Sequence, residues 1–191
     1  MEMLKLKICD KNDINDIMEL QREVIESLAD KSLLRNNQQE MFLSCLDYPN
    51  LTLGLYDKEK LVALSIFVDA RGTDEDLSVD LKKCQVEKCG NYKLIMVRKE
   101  YRGGLQKYLF SYLLYYANKL GFSHLAVTVS PDNEYSLKNI LSSGFEIDHE
   151  AIKYGGNRRY VCVGSVSEMV YDNNLDYSLI DSYIIEHTSK K

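Results

Sequence analysis

The sequence lacks a CxxC pair, a histidine cluster and any apolar run of membrane length, and each absence closes off a class of function. Its five cysteines (Cys9, Cys45, Cys84, Cys89 and Cys162) and three histidines show no zinc-ligand spacing, so no metal site is expected. Scattered thiols in an odd number read as reduced and mostly buried, in keeping with a reducing compartment. No segment approaches the roughly 20 apolar residues of a membrane helix, and the opening MEMLKLKICDKND has no apolar core of secretory-signal length. The expected location is the cytoplasm, with no membrane partner. His124, His149 and His187 stand apart from any Ser or Cys constellation, which leaves no case for triad hydrolysis. With a net charge of −5 and dispersed arginines, the chain shows no electrostatic footprint for a nucleic acid backbone. Small molecules or basic partners fit better.

What is present suits one folded domain, or one domain with a short appendage: 191 residues, 45% apolar and 28% charged. Leu4 to Cys9 alternates as LKLKIC, the period of a half-buried strand. Asp13 is placed to cap a helix whose face carries Ile14, Ile17, Met18, Val24, Ile25 and Leu28, with Gln21 the one polar intruder. A polar link, Lys31 to Asn37, leads to a second helical stretch from Gln38 to Leu46 that Pro49 stops. Asn50 to Tyr56 and Leu61 to Ala70 read as a hairpin across Asp57 to Lys60. Thr73 and Asp76 have capping-box spacing, which predicts a helix from Asp74 to Lys83. The acidic residues Asp74, Glu75 and Asp76 then either occupy its first turn or attract a cationic substrate.

From Leu94 to Leu113 a strand runs through a basic glycine turn into an amphipathic helix, with Leu105, Leu109, Tyr112, Leu113, Tyr116 and Leu120 on one stripe and Gly121 at its end. A helix start leaves its first N–H groups unpaired and adds partial positive charge. Arg102, Gly103, Gly104, Leu105, Gln106 and Lys107 therefore form an anion cradle, or the glycines serve chain geometry alone. His124 to Ser130 reads as a strand, Pro131 to Asn133 as a turn, and Glu134 to Ser143 as a helix that Gly144 ends. Gly155, Gly156 and Asn157 turn a late hairpin. From Ser165 the composition shifts toward tyrosine and isoleucine and predicts a last helix from Leu175 to His187, docked on its own domain or covering a partner subunit in a homodimer. Residues 1 to 164 thus read as a domain and 165 to 191 as an appendage.

This order of elements resembles the GNAT superfamily of acyl-CoA-dependent N-acyltransferases over most of residues 1 to 164. Two segments carry the resemblance. Val97 to Gln106 looks like the strand-loop-helix run that wraps the pyrophosphate of coenzyme A, and Asn133, Ser136, Asn139, Ile140, Gly144 and Phe145 fall at the spacing of the family's second motif. The resemblance implies an α/β (α+β) fold with a mixed, mostly antiparallel sheet flanked by helices, the C-terminal helix being an addition. It implies acetyl-CoA as co-substrate, with main-chain groups of Met96 and Val97 aligning pantetheine as an added strand would. Arg102 to Lys107 would take the pyrophosphate, and Lys99 or Lys107 the adenosine phosphate. Asn133 and Asn139 would either contact the cofactor or its loop, or serve as caps.

Two departures stand out. Only Gly103-Gly104 occupies the place of Gly-x-Gly and Gln106 fills the last Gly/Ala place, so the loop is one residue shorter: either it supplies fewer amides, or the helix begins one residue earlier, in register with the stripe from Leu105, and the cradle survives. Where many members carry a tyrosine as general acid, this chain has Ile140; Tyr135 is expected on another face of its helix. Among carboxylates the nearest base candidate is Asp69, at the end of a strand, where it is equally a turn carboxylate in water. The expected activity is acetyl transfer from acetyl-CoA to a primary amine by direct attack, the acceptor being a small molecule or peptide. The rival is a non-catalytic acyl-CoA sensor or interaction module, which Ile140 favours.

Overall fold

A computed structural model describes residues 4–82, 86 and 88–189. One seven-stranded mixed sheet runs in the order β1-β2-β3-β4-β5-β7-β6. The strands are β1 (Lys5–Ile8), β2 (Leu51–Asp57), β3 (Lys60–Val68), β4 (Cys89–Val97), β5 (His124–Val129), β6 (Glu146–Lys153) and β7 (Asn157–Ser165). All neighbours are antiparallel except β4 and β5, which are parallel. Helices α1 (Ile14–Glu26) and α2 (Gln39–Ser44) cover one face; α3 (Leu105–Lys119) leads the other, with α4 (Glu134–Ser142) and α5 (Ser178–Thr188).

Two apolar layers hold the sheet. Ile17, Leu20 and Val24 of α1 and Phe42 of α2 meet Leu64, Ile66 and Met96 from one side of the strands. Leu109, Leu113, Tyr116 and Ala117 of α3 meet Leu53, Ala63, Phe67 and Tyr92 from the other. Leu94 and Met96 of β4 pack toward α1 while Tyr92, two residues earlier, packs toward α3, which requires a bulge: Lys93 is its extra residue, opposite the Ile66/Phe67 step of β3. Gln21, the polar residue within the apolar face of α1, is buried for a reason. Its side chain accepts from the Asn37 main-chain N–H and donates to the Asn37 carbonyl, both at 2.9 Å, and so clamps the Lys31–Asn37 link against α1.

Several expectations are corrected. Asp13 precedes α1 but makes no capping bond to it. Its carboxylate instead takes Lys7 at 2.6 Å, the Asp10 N–H at 2.8 Å and the Tyr56 hydroxyl at 3.0 Å. The helix expected over Asp74–Lys83 is absent in the described part; Leu77–Asp80 forms a single 3-10 turn, and residue 83 lies outside the described residues. The reason is local competition. The Thr73 hydroxyl donates back to the Ala70 carbonyl at 2.7 Å, and Asp76 caps the later turn through the Ser78 N–H at 2.9 Å. Strand β4 begins at Cys89, five residues before the expected Leu94, because Cys89, Gly90 and Asn91 pair with β5 and Asn91 and Tyr92 with β3. The last helix starts at Ser178, not Leu175, and packs in cis: Ile180 is fully buried, the Tyr115 hydroxyl donates to Asp181 at 2.8 Å, and Tyr115 stacks on Tyr177 at 4.1 Å. Cys9, Cys45, Cys89 and Cys162 are buried as expected; Cys84 lies outside the described residues. No helix among the described residues is long and apolar enough to cross a membrane.

The Asp13 cluster makes stability sensitive to acid. Burial raises the Asp13 pKa, but the bonds from Lys7, Asp10 and Tyr56 outweigh it and leave the carboxyl below its ordinary value. A depressed folded-state pKa contributes stability that is fully present above the unfolded value, about 4, and lost as pH falls toward the folded one. Asp13→Asn is expected to cost about 2 kcal/mol at neutral pH, since Lys7 is part-exposed and retains some hydration. In urea titrations at pH 7 and at pH 3, the difference between the two proteins should shrink at the lower pH. A difference that stays constant would remove the assignment.

Candidate functional site

Strands β4 and β5 pair only at Cys89↔His124, Gly90↔Leu125 and Asn91↔Ala126. Beyond Asn91, β4 keeps its bonds to β3 through Ala63↔Val97, so its other edge opens onto a gap. The two strands therefore splay, and a groove of about 730 Å³ fills the gap. Main-chain N–H and C=O groups along an open strand edge need partners, and an extended amide-bearing ligand can supply them.

At one end of the groove lie Arg102, Gly103, Gly104, Leu105 and Gln106. Helix α3 does begin at Leu105, and its first bond runs from the Tyr108 N–H to the Gly104 carbonyl at 3.1 Å. The N–H groups from Gly104 to Lys107 are consequently open at the helix start. Met96 and Val97 line the groove as well. Asn133 caps α4, its side chain accepting from the Ser136 N–H at 3.0 Å, and it also lines the groove. Asn139 and Lys107 do not line it. Asn139 Nδ2 donates to Gln106 Oε1 at 3.1 Å and so steadies the start of α3 from α4, while the Lys107 side chain is exposed.

Asp69 also lies away from the groove, gripped by Arg71 through two bonds of 2.7 Å. Hydrogen bonding to Arg71 holds its carboxyl below the ordinary value against the opposing effect of burial. Glu75 is the one carboxylate among the described residues that line the groove. Expected in a helix turn or as a lure for cations, Glu75 is instead ion-paired with Lys93, the extra residue of the β4 bulge, and with Arg35 at 3.5 Å. Burial disfavours the charge on Glu75, but Lys93 and Arg35 prevail and lower its pKa. Asn91 Nδ2 donates to the Glu75 carbonyl at 2.7 Å, which anchors this segment over the groove floor.

Tyr135 is corrected too. Expected to point elsewhere, it lines the groove from the first turn of α4, where a side chain still reaches the helix mouth, and its ring is largely exposed. Ile140 is buried in the core. Arg35, Tyr154 and Arg159 line the groove together. The guanidinium of Arg35 sits over the Tyr154 ring at 5.0 Å, and Arg159 donates to the Ser32 carbonyl at 3.4 Å. These contacts join the Lys31–Asn37 link to the β6–β7 hairpin. No potential metal cluster of His, Cys, Asp and Glu occurs among the described residues.

No family model and no curated protein matches the sequence. Solved structures do match in shape. The ribosomal-protein-S18-alanine N-acetyltransferase of Escherichia coli is 17% identical with a TM-score of 0.64, the match covering 91% of this chain and 99% of that one. A GNAT-family acetyltransferase from Streptococcus pneumoniae is 18% identical at TM-score 0.62, over 85% and 99%. The PaiA N-acetyltransferase of Thermoplasma acidophilum, solved in complex with coenzyme A, is 13% identical at TM-score 0.62, over 85% and 99%. At these identities the likeness establishes the fold, that of the GNAT N-acetyltransferases.

Proposed function

We propose that this chain, which carries the GNAT fold, is an N-acetyltransferase that moves the acetyl group of acetyl-CoA to a primary amine by direct attack. The observation that carries the reading is the junction of two open main-chain surfaces in one groove: the free edge of β4 and the free amides at the start of α3. The first suits the amides of a pantetheine arm, and the second suits a pyrophosphate. Both would be wasted polar surface in a purely structural domain.

When bound, acetyl-CoA supplies a thioester carbonyl at the acceptor side of the groove. The chain's own residues then have four tasks. Main-chain groups of Met96 and Val97 would align the thioester arm, and Arg102 with the amides of Gly104 to Lys107 would hold its phosphates. Ion-paired Glu75, Lys93 and Arg35 set the charge where an amine must arrive. Tyr135, a groove-lining phenol, offers a proton donor that Ile140, buried and lining the same groove, does not. Cytoplasmic location and recruitment of an acceptor without a membrane or nucleic acid belong to the same proposal.

The test is calorimetric titration with acetyl-CoA, followed by a thiol-release assay over a panel of amines. Micromolar binding with amine-dependent release of thiol supports the enzyme. Binding without release from any amine would make the chain an acyl-CoA sensor, and no binding would remove the proposal.

A further inference from the structure

Arg159 is the least expected member of the groove. It is 6% exposed, yet its guanidinium meets no carboxylate within ion-pair distance among the described residues. Its bonds go to two main-chain carbonyls, Arg158 at 2.9 Å and Ser32 at 3.4 Å, which leaves most of its five N–H donors available. Burial lowers its pKa, while Tyr154 and Asp132 oppose that shift. A buried cation without a counter-charge is costly unless a ligand completes it.

The surroundings deepen the imbalance. Arg35, Lys93 and Arg159 line the groove, and Glu75, shared between Arg35 and Lys93, is the one carboxylate among the described residues that line it with them, Asp132 acting on Arg159 from outside the lining. Three cations against one anion would repel a polyamine and attract an oxyanion. A guanidinium fork matches a carboxylate by two parallel bonds, which a lone ammonium does not offer. The contacts of Arg35 with Tyr154 and of Arg159 with Ser32 also tie two walls of the groove together, which favours a small acceptor over a folded protein surface.

We infer that the acceptor is a small amine bearing a carboxylate, an amino acid in the chemical sense, whose carboxylate is bound by Arg159 with Arg35 and Lys93 supporting it. The inference rests on the acyltransferase reading and names its substrate class. Arg159 is a binding residue here: the amine attacks the thioester carbon, the C–S bond breaks, the thiolate leaves with coenzyme A, and the amine's proton passes to solvent.

The test uses protein saturated with acetyl-CoA and a panel of α-, β- and γ-amino acids, each beside its own carboxamide, with spermidine as the polycation. Thiol release should be at least ten times more efficient for the best carboxylate-bearing amine than for its amide, and spermidine should be poor. Arg159→Gln should raise KM for that amino acid by about 10- to 100-fold, leaving the amide and acetyl-CoA affinity unchanged, with Arg159→Lys between. Calorimetry of the same amino acid on protein saturated with coenzyme A gives a readout independent of turnover. Amides or spermidine used as well as amino acids, equal effects of Arg159→Gln on both members of a pair, or no response to any carboxylate-bearing amine would each overturn the inference. Failure to bind acetyl-CoA would instead strike the acyltransferase reading itself.

Discussion

Gly104→Glu is expected to lower affinity for acetyl-CoA by at least 100-fold while leaving a folded protein. Gly104 sits at φ +134° and ψ −25°, a conformation that costs any side-chain-bearing residue about 1–3 kcal/mol. No atom lies within 4 Å of where its Cβ would be, so the substitution meets no clash inside the protein. An acidic group at a helix start recovers about 0.3–1 kcal/mol from the helix dipole, so strain wins and a modest net loss of stability should follow. The effect on ligand is larger and of different origin. The new carboxylate would stand among the amides of Gly104 to Lys107, occupy the space a phosphate needs and repel it. Gly104→Ala separates the causes, since it carries the same backbone strain without charge or bulk. We expect it to stay within about tenfold of wild type in calorimetric affinity, each tenfold step being 1.4 kcal/mol. If Gly104→Glu bound acetyl-CoA as the wild type does, the α3 start would not be the phosphate site, and the assignment of Arg102 to Lys107 would fall with it.

How far the sequence could foretell this site depended on the range of the interactions involved. Periodicity located β1 through LKLKIC and α3 through its leucine and tyrosine stripe, because burial of one face is written locally. The glycine turn was equally legible: a strand, two glycines and a helix in succession specify a helix start beside a sheet edge. The acceptor end was not. Arg35, Glu75, Lys93 and Arg159 come from four segments scattered through the chain, and no spacing rule connects residues brought together by sheet order. Lys93 had one hidden signal, the bulge that breaks the alternation of β4, but a bulge needs its partner strand to be recognised. The Thr73–Asp76 pattern misled for the opposite reason. Its local hydrogen bonds were real, yet they closed turns that compete with a helix.

Gly90→Val should be strongly destabilising, and its reason ties the core to the groove. Gly90 belongs to the three-pair root that joins β4 to β5 before they part. A Cβ there would lie 2.3 and 2.7 Å from two ring carbons of Phe67 and 3.3 Å from Phe122. Phe67 has nowhere to retreat: it is fully buried, edge-on to Phe122 at 5.0 Å and to Tyr116 at 5.5 Å. Overpacking of this kind costs about 3 kcal/mol, which for a chain of this size lowers Tm by about 6–12 °C. The alternative response is for β4 and β5 to separate at their root, widening the groove and weakening acetyl-CoA binding. A double-mutant cycle distinguishes a packing clash from a general loss of strand pairing. Phe67→Leu alone should destabilise by removing ring contacts, but in the Gly90→Val background it should relieve the clash, giving a favourable coupling of at least 1 kcal/mol by urea unfolding. Additive losses would mean that the Phe67 ring does not require the absent side chain. A Gly90→Val protein within 0.5 kcal/mol of wild type would show that the root of the splay tolerates a side chain, and that its narrowness is not what holds the two strands in place.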